Sequence, residues 1–259
     1  MTTAARRAQA WAAISEVTDP ELDQSVTELG FVTEFKVDGA AGTVELAYRL
    51  PTYWCAANFA FMMGHDMAER LGELEWTRHV SVRLLDHFYA EEINRGLADN
   101  ASFQQTCGDE ASGELIELRA TFRYKAFMSR QERLLSWLIT AGVPRSALVG
   151  WSTADLAAHP ITDGRGAHLR DRYLEMRRSH TPGDFSGRGY RGDAFETAFV
   201  TAAGQPIAAD ALDAHRRHVQ SIRMNSEFNA TLCSRVLAVR QRGASRRETA
   251  SQRAPERST

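Results

Sequence analysis

The feature that most constrains this chain is a change of hydrophobic period: strand-type alternation ends near residue 85, and helical spacing takes over beyond it. Ala8, Trp11, Ile14 and Val17 stand three residues apart, which predicts an amphipathic helix over Ala4 to Val17. Asp19-Pro20 closes it, because the residue before proline avoids helical angles. Phe31 to Val37 and Thr43 to Leu50 alternate on either side of Asp38-Gly39-Ala40-Ala41-Gly42, the pattern of a β-hairpin. After Pro51, Phe59, Met62, Met63, Met67 and Leu71 mark a second helix over Trp54 to Leu71, stopped by Gly72, and His79 to Leu85 reads as a third strand. The order helix, strand, strand, helix, strand suits a two-layer α+β sandwich.

From Phe88 onward strands become scarce. Short helices are expected at Glu91 to Leu97 and Leu169 to Arg178, a long one over Gly113 to Ala141 stopped by Gly142-Val143-Pro144, and closing helices over Ala208 to Arg240. The Gly- and Arg-rich stretch that runs to Gly192 reads as a mobile loop. Residues 243–259 hold no large apolar side chain, so they cannot offset the entropy of ordering and are expected to form a disordered tail. The expected organisation is therefore an α+β domain over 1–87, a mostly helical domain over 88–242, and the tail. With 43% hydrophobic and 25% charged residues in 259, the chain has enough apolar surface to bury a real core.

Several function classes are disfavoured. No run of about 18 apolar residues reaches the length of a membrane span, and the start MTTAARRAQAWAAI lacks the apolar core of a signal peptide, so a cytoplasmic location is expected. Nucleotide-binding glycine loops and a Gly-x-Ser-x-Gly elbow are missing, as are the paired Glu-x-x-His elements of a di-iron bundle. Arginines are frequent near the C-terminus, but interspersed acids and a net charge of −2 argue against a nucleic-acid arm.

The specific signal lies in residues 14 to 85: Ile14-x-x-Val17-x-Asp19-Pro20-Glu21-Leu22, then Val26-x-x-Leu29-Gly30-Phe31-Val32, then the hairpin, then Cys55 opening a helix. This stretch resembles the PaaD- and SufT-like iron–sulfur cluster assembly domain. The resemblance implies a small α+β domain that helps mature iron–sulfur or other metal proteins without itself being a catalyst, and it singles out Asp19, Pro20, Glu21, Leu29, Gly30 and Cys55. Where that family usually has a Pro-Gly-Cys-Pro-like turn, this chain has Pro51-Thr52-Tyr53-Trp54-Cys55-Ala56, with aromatics beside the thiol. Through Glu92-Ile93-Asn94-x-Gly96, Leu118-Arg119-x-x-Phe122-x-x-Lys125-Ala126-Phe127 and Phe228-Asn229-x-x-Leu232-Cys233, none of them a chemical motif, the region beyond residue 88 resembles the helical extension of longer actinobacterial members associated with di-iron hydrocarbon monooxygenases, which implies such an enzyme as the client.

Cys55 at a helix N-terminus meets free backbone N–H groups and the positive end of the helix dipole, which favour thiolate and metal ligation. The alternative is an inert buried cysteine flanked by Tyr53 and Trp54. Cys107 and Cys233 are scattered thiols that could join Cys55 around iron, an iron–sulfur cluster or zinc if the fold brings the three together. Asp19 and Glu21 could act as paired carboxylates, but an Asp before proline commonly organises a turn. His65-Asp66 and Asp86-His87 with Glu91 and Glu92 are further candidate metal clusters, His87 and Glu91 having the spacing of one helix face. The expected function is delivery or insertion of iron or an iron–sulfur cluster into a client metalloenzyme. A metal-free scaffold or folding chaperone for an oxygenase subunit, and an enzyme with its site around His87, Glu91 and Glu92, are the rivals.

Overall fold

The computed structural model describes residues 1–108, 115–179, 197–221, 224, 231, 235 and 236. Met1–Leu115 and Ile116–Glu227 form two compact units. The fold is α+β, with the strands of both small sheets in the first unit and a helical second unit.

In the first unit, α1 (Thr3–Ser15) begins at Thr2, whose hydroxyl accepts the Ala5 N–H at 3.2 Å. Its buried face is Ala10, Ile14 and Val17, while Ala8 and Trp11 are exposed. The threefold spacing read from the sequence thus holds at Ile14 and Val17 and fails at Ala8 and Trp11, because the 3.6-residue turn carries the i, i+4, i+7 set Ala10, Ile14 and Val17 inward. Trp11 instead lies edge-on against Phe35, 5.3 Å between centroids. β1 (Thr18–Asp19) and β2 (Gln24–Ser25) form a short antiparallel pair around the Asp19-Pro20 turn.

β3 (Val32–Asp38) and β4 (Thr43–Arg49) make the hairpin. At its turn Asp38 Oδ1 accepts the N–H groups of Ala40 and Ala41, and Gly42 takes φ +74°. A Cβ on Gly42 would stand 2.7 Å from the Trp76 carbonyl oxygen, so this position needs glycine for space as well as for backbone sign. α2 (Ala57–Gly72) then crosses over to β5 (His79–Leu85), which pairs parallel to β4 and gives the sheet order β3-β4-β5. Because side chains alternate across a strand, Val44, Leu46, Val82 and Leu84 enter the core that α2 joins and Phe35 packs on α1, while Glu34, Lys36, Glu45, Ser81 and Arg83 line the open face. Tyr48 is fully buried and donates to the Ala60 carbonyl at 2.7 Å, tying β4 to the first turn of α2.

The first core does not stop at residue 87. Ile93 on α3 (Ala90–Ala98) and Phe103 on α4 (Phe103–Cys107) are buried in it. Asn94 serves as a one-residue substitute for a further strand: its Oδ1 accepts the Leu84 N–H at 2.7 Å and its Nδ2 donates to the Leu84 carbonyl at 3.0 Å. At Leu84 the outer edge of β5 is thereby paired by a side chain.

In the second unit, α5 (Leu115–Thr140) ends at Gly142, φ +93°, with the Val143 N–H returning to the Leu138 carbonyl. α6 (Arg145–Leu148) and α7 (Thr153–Ala158) are short helices that the hydrophobic period did not reveal. α8 (Gly164–Ser179) starts earlier than Leu169 because Asp163 accepts the Gly166 N–H at 2.8 Å. Helical backbone over 212–221 buries Leu212 and Val219 beside Leu134, Leu138, Tyr173 and Phe199. Ile222, Phe228, Leu232, Leu237, the Gly- and Arg-rich stretch 180–192 and the expected tail lie outside the described residues. No helix among the described residues is long and apolar enough to cross a membrane.

Candidate functional site

Asp19 is the first of the singled-out residues along the chain. It is buried, and its Oδ1 accepts the N–H groups of Glu21 at 2.9 Å and Leu22 at 2.8 Å, closing the turn over Pro20. Burial raises its carboxyl pKa to about 6, against the lowering effect of those two hydrogen bonds. Leu29 and Gly30 form the next turn: the Leu29 N–H bonds to the Ser25 carbonyl, Gly30 takes φ +69°, and the Phe31 N–H returns to the Val26 carbonyl. The turn delivers Phe31 into the core at the entry to β3.

Cys55 stands two residues before α2, half-buried, with its Sγ 3.0 Å from the Thr52 hydroxyl. The helix has no side-chain cap at Ala56. Two bonds fasten the loop that presents the thiol to the segment after β5. The His87 Nε2 bonds to the Cys55 carbonyl at 2.8 Å, and the Phe88 N–H donates to the Tyr53 carbonyl at 3.0 Å. The Tyr89 N–H donates to His87 Nδ1 at 3.1 Å, so Nδ1 accepts and Nε2 donates.

This arrangement corrects two expectations. His87 and Glu91 do not share a helix face: Asp86 takes φ +51°, α3 begins at Ala90, and His87 precedes it. With both ring nitrogens engaged, His87 positions the Cys55 loop. The flanking aromatics also do not bury the thiol. Tyr53 is 46% exposed, Trp54 62% and Phe88 70%, and Tyr53 packs edge-on to both, 4.4 Å from Trp54 and 5.0 Å from Phe88. They form an open aromatic rim beside Cys55.

Cys107 closes α4 and, like Cys55, packs half-buried against the first core. Cys233 lies outside the described residues. The described residues contain one group of three potential ligands, His65, Asp66 and Glu69, whose donor atoms lie within 4.8 Å of one another. His65 is eight residues, about 12 Å, along the helix axis from Ala57. That separation is too great for His65 and Cys55 to hold one ion.

Sequence reasoning overlooked Thr52, Phe88 and the positioning role of His87. Only the proximity of Asp86-His87-Phe88 to the end of β5 hinted at them, since strand ends in open sheets gather loops.

Residues 7–84 match the family model described as iron–sulfur cluster assembly protein. The match runs from α1 to β5 and includes Cys55. It associates this part of the first unit with iron–sulfur cluster assembly. A comparison with curated proteins finds no match.

Proposed function

We propose that this protein is an accessory factor in metalloprotein maturation, delivering or inserting iron or an iron–sulfur cluster into a client enzyme such as a di-iron monooxygenase. The observation that carries the reading is the placement of Cys55: a half-buried thiol two residues before α2, beside the Thr52 hydroxyl, on a loop fixed by His87 and Phe88. The family match over residues 7–84 supports the same role. In this reading Cys55 is the principal ligand of the cargo, and Cys107 and Cys233 are optional co-ligands. The cargo leaves by ligand exchange: a client side chain replaces the Cys55 sulfur at the metal, and no electron is transferred. Zinc can take the same thiolate, so the cargo is identified by metal analysis. The protein is a carrier and not a catalyst, it works in the cytoplasm, and its helical part holds the client.

Metal analysis of anaerobically purified protein, wild type against Cys55→Ser, tests the proposal. Iron or cluster bound to the wild type and lost from the variant is the expected result. Iron, cluster and zinc absent from both, under conditions where a client matures normally, would overturn the carrier role. The exposed rim of Tyr53, Trp54 and Phe88 favours a second reading, a metal-free scaffold that holds the client. Retention of the client by Cys55→Ser in a pull-down, with no metal in either protein, would establish that version.

A further inference from the structure

The aromatic rim beside Cys55 has the features of a preformed recognition surface. Three large aromatic side chains stand together in edge-to-face contact while remaining largely open to solvent. A chain that needed only to fold would gain by burying them or by carrying polar residues there. Their backbone is not free to collapse onto the surface. The Phe88 N–H to Tyr53 carbonyl bond and the His87 to Cys55 carbonyl bond hold both segments in place. Little ordering entropy is therefore lost when a partner arrives.

Charge near the rim decides what kind of partner fits. Arg49 and Asp86 are paired at 2.8 Å and cancel. Glu91 and Glu92, in the first turn of α3 and within four residues of Phe88, form no ion pair among the described residues and outnumber Arg95, the cation of that helix. Open aromatic faces attract cations through their quadrupole, guanidinium best of all, and the two carboxylates add a matching field.

We infer that the Tyr53, Trp54 and Phe88 rim, with Glu91 and Glu92, docks an arginine-bearing apolar segment of a partner protein. Arginine side chains stack on the rings and pair with the carboxylates, and apolar side chains cover the remaining ring edges. Because the rim adjoins Cys55, the docked segment lies next to the thiol. The inference deepens the carrier reading and rests on it for the identity of the partner as client; the recognition chemistry stands on the rim itself.

The test uses the full chain and two fluorescein-labelled amphipathic peptides of equal leucine content, one rich in arginine and the other in glutamate, followed by fluorescence anisotropy. The arginine peptide is expected to bind about tenfold tighter or more, and to weaken with salt. Trp54→Ala and Phe88→Ala should each weaken it about tenfold, with unchanged circular dichroism melts, since both side chains are exposed. Two variants are used so that a folding defect in one leaves the other as the readout. Glu91→Lys combined with Glu92→Lys should reverse the preference between the peptides. Equal affinity for the two peptides, or arginine-peptide binding untouched by both aromatic variants, would overturn the inference. So would self-association of the chain that Trp54→Ala abolishes, which would assign the rim to a second copy. Cys55→Ser should bind the peptide normally, which separates the two proposals. Loss of metal with peptide binding intact would leave the docking surface standing, and the converse would leave only the carrier.

Discussion

In the first unit the large fully buried side chains are apolar, apart from Tyr48 with its one bond to the Ala60 carbonyl, and the chemistry of the candidate site sits at the rim. The second unit buries Gln131 completely at its centre. Its Nε2 donates to the Val200 carbonyl at 2.8 Å and to His215 Nε2 at 3.0 Å, and its Oε1 accepts from the Val200 N–H and the Tyr173 hydroxyl. Two strategies for one problem are visible here. A sheet satisfies its own backbone and needs only apolar cover, whereas the segment from Ala198 to Val200 runs through a helical core without a ladder and borrows its partners from a side chain. The first unit confines its buried polar groups to turns and strand ends, at Asp19, Asp23, Ser25 and His87, whereas the second sets one fully buried amide among its helices.

The largest expected effect comes from breaking that interior. Gln131→Leu leaves the Val200 N–H and carbonyl unsatisfied and should destabilise the second unit by ~3–5 kcal/mol, seen as a shift of one transition in urea unfolding. If the first unit's transition moves equally, the two units are one cooperative body and the comparison fails. The next largest is a packing error in the first unit. A Cβ on Gly64 would lie 2.6 Å from the Tyr48 hydroxyl oxygen and 2.8 Å from Leu97 Cδ1, so Gly64→Ala should cost the first unit ~1–3 kcal/mol in the same experiment despite the gain in helix propensity.

Acidity sharpens the contrast, because the two units respond with opposite sign. Asp19, raised to about 6 by burial, keeps its proton in the folded state at pH values where the unfolded chain, near 3.8, has lost it. The stability it contributes therefore falls as pH rises from about 4 to 6, by at most ~1.4 kcal/mol per pH unit. His215 is lowered below its ordinary 6.5 by burial and by His218, and its Nε2 already accepts from Gln131. Its protonation favours the unfolded chain, so the second unit weakens as pH falls below 6.5. Thermal melts at pH 4.5 and 7 should move the two transitions in opposite directions. Asp19→Asn should flatten the first, and His215→Gln the second; parallel shifts that survive both variants would refute the assignment. The smallest effect is on the open sheet face, where Glu34 and Arg83 pair at 3.7 Å in full view of solvent. Glu34→Gln should change chemical stability by under ~0.5 kcal/mol.

Much of the first unit was legible because its elements advertise themselves locally. His79 to Leu85 is observed over the span that alternation indicated, and the hairpin turn at Asp38 to Gly42 follows from residues that can adopt its backbone. Pro51 and the period that follows it placed Cys55 in the first turn of a helix over Trp54 to Leu71, but the helix begins at Ala57 and the thiol precedes it by two residues. The neighbours of that thiol were not legible. His87 and Phe88 lie more than thirty residues away in sequence, and they reach the Cys55 loop only because β5 returns parallel to β4 and ends beside it. Asn94, which closes the β5 edge, and Gln131, which holds the second core, look in the sequence like ordinary polar residues on helices.

The sequence by itself determined the kinds of element, their order in the first unit and the position of the thiol, since these depend on side-chain period, turn chemistry and local backbone preference. Tertiary structure alone decided that Tyr53, Trp54 and Phe88 gather as an open rim, that His87 orients the Cys55 loop, and that one glutamine anchors a core. Those outcomes depend on which polar groups meet across long sequence distances, and a buried donor or acceptor is satisfied only by what the completed fold brings within hydrogen-bonding reach.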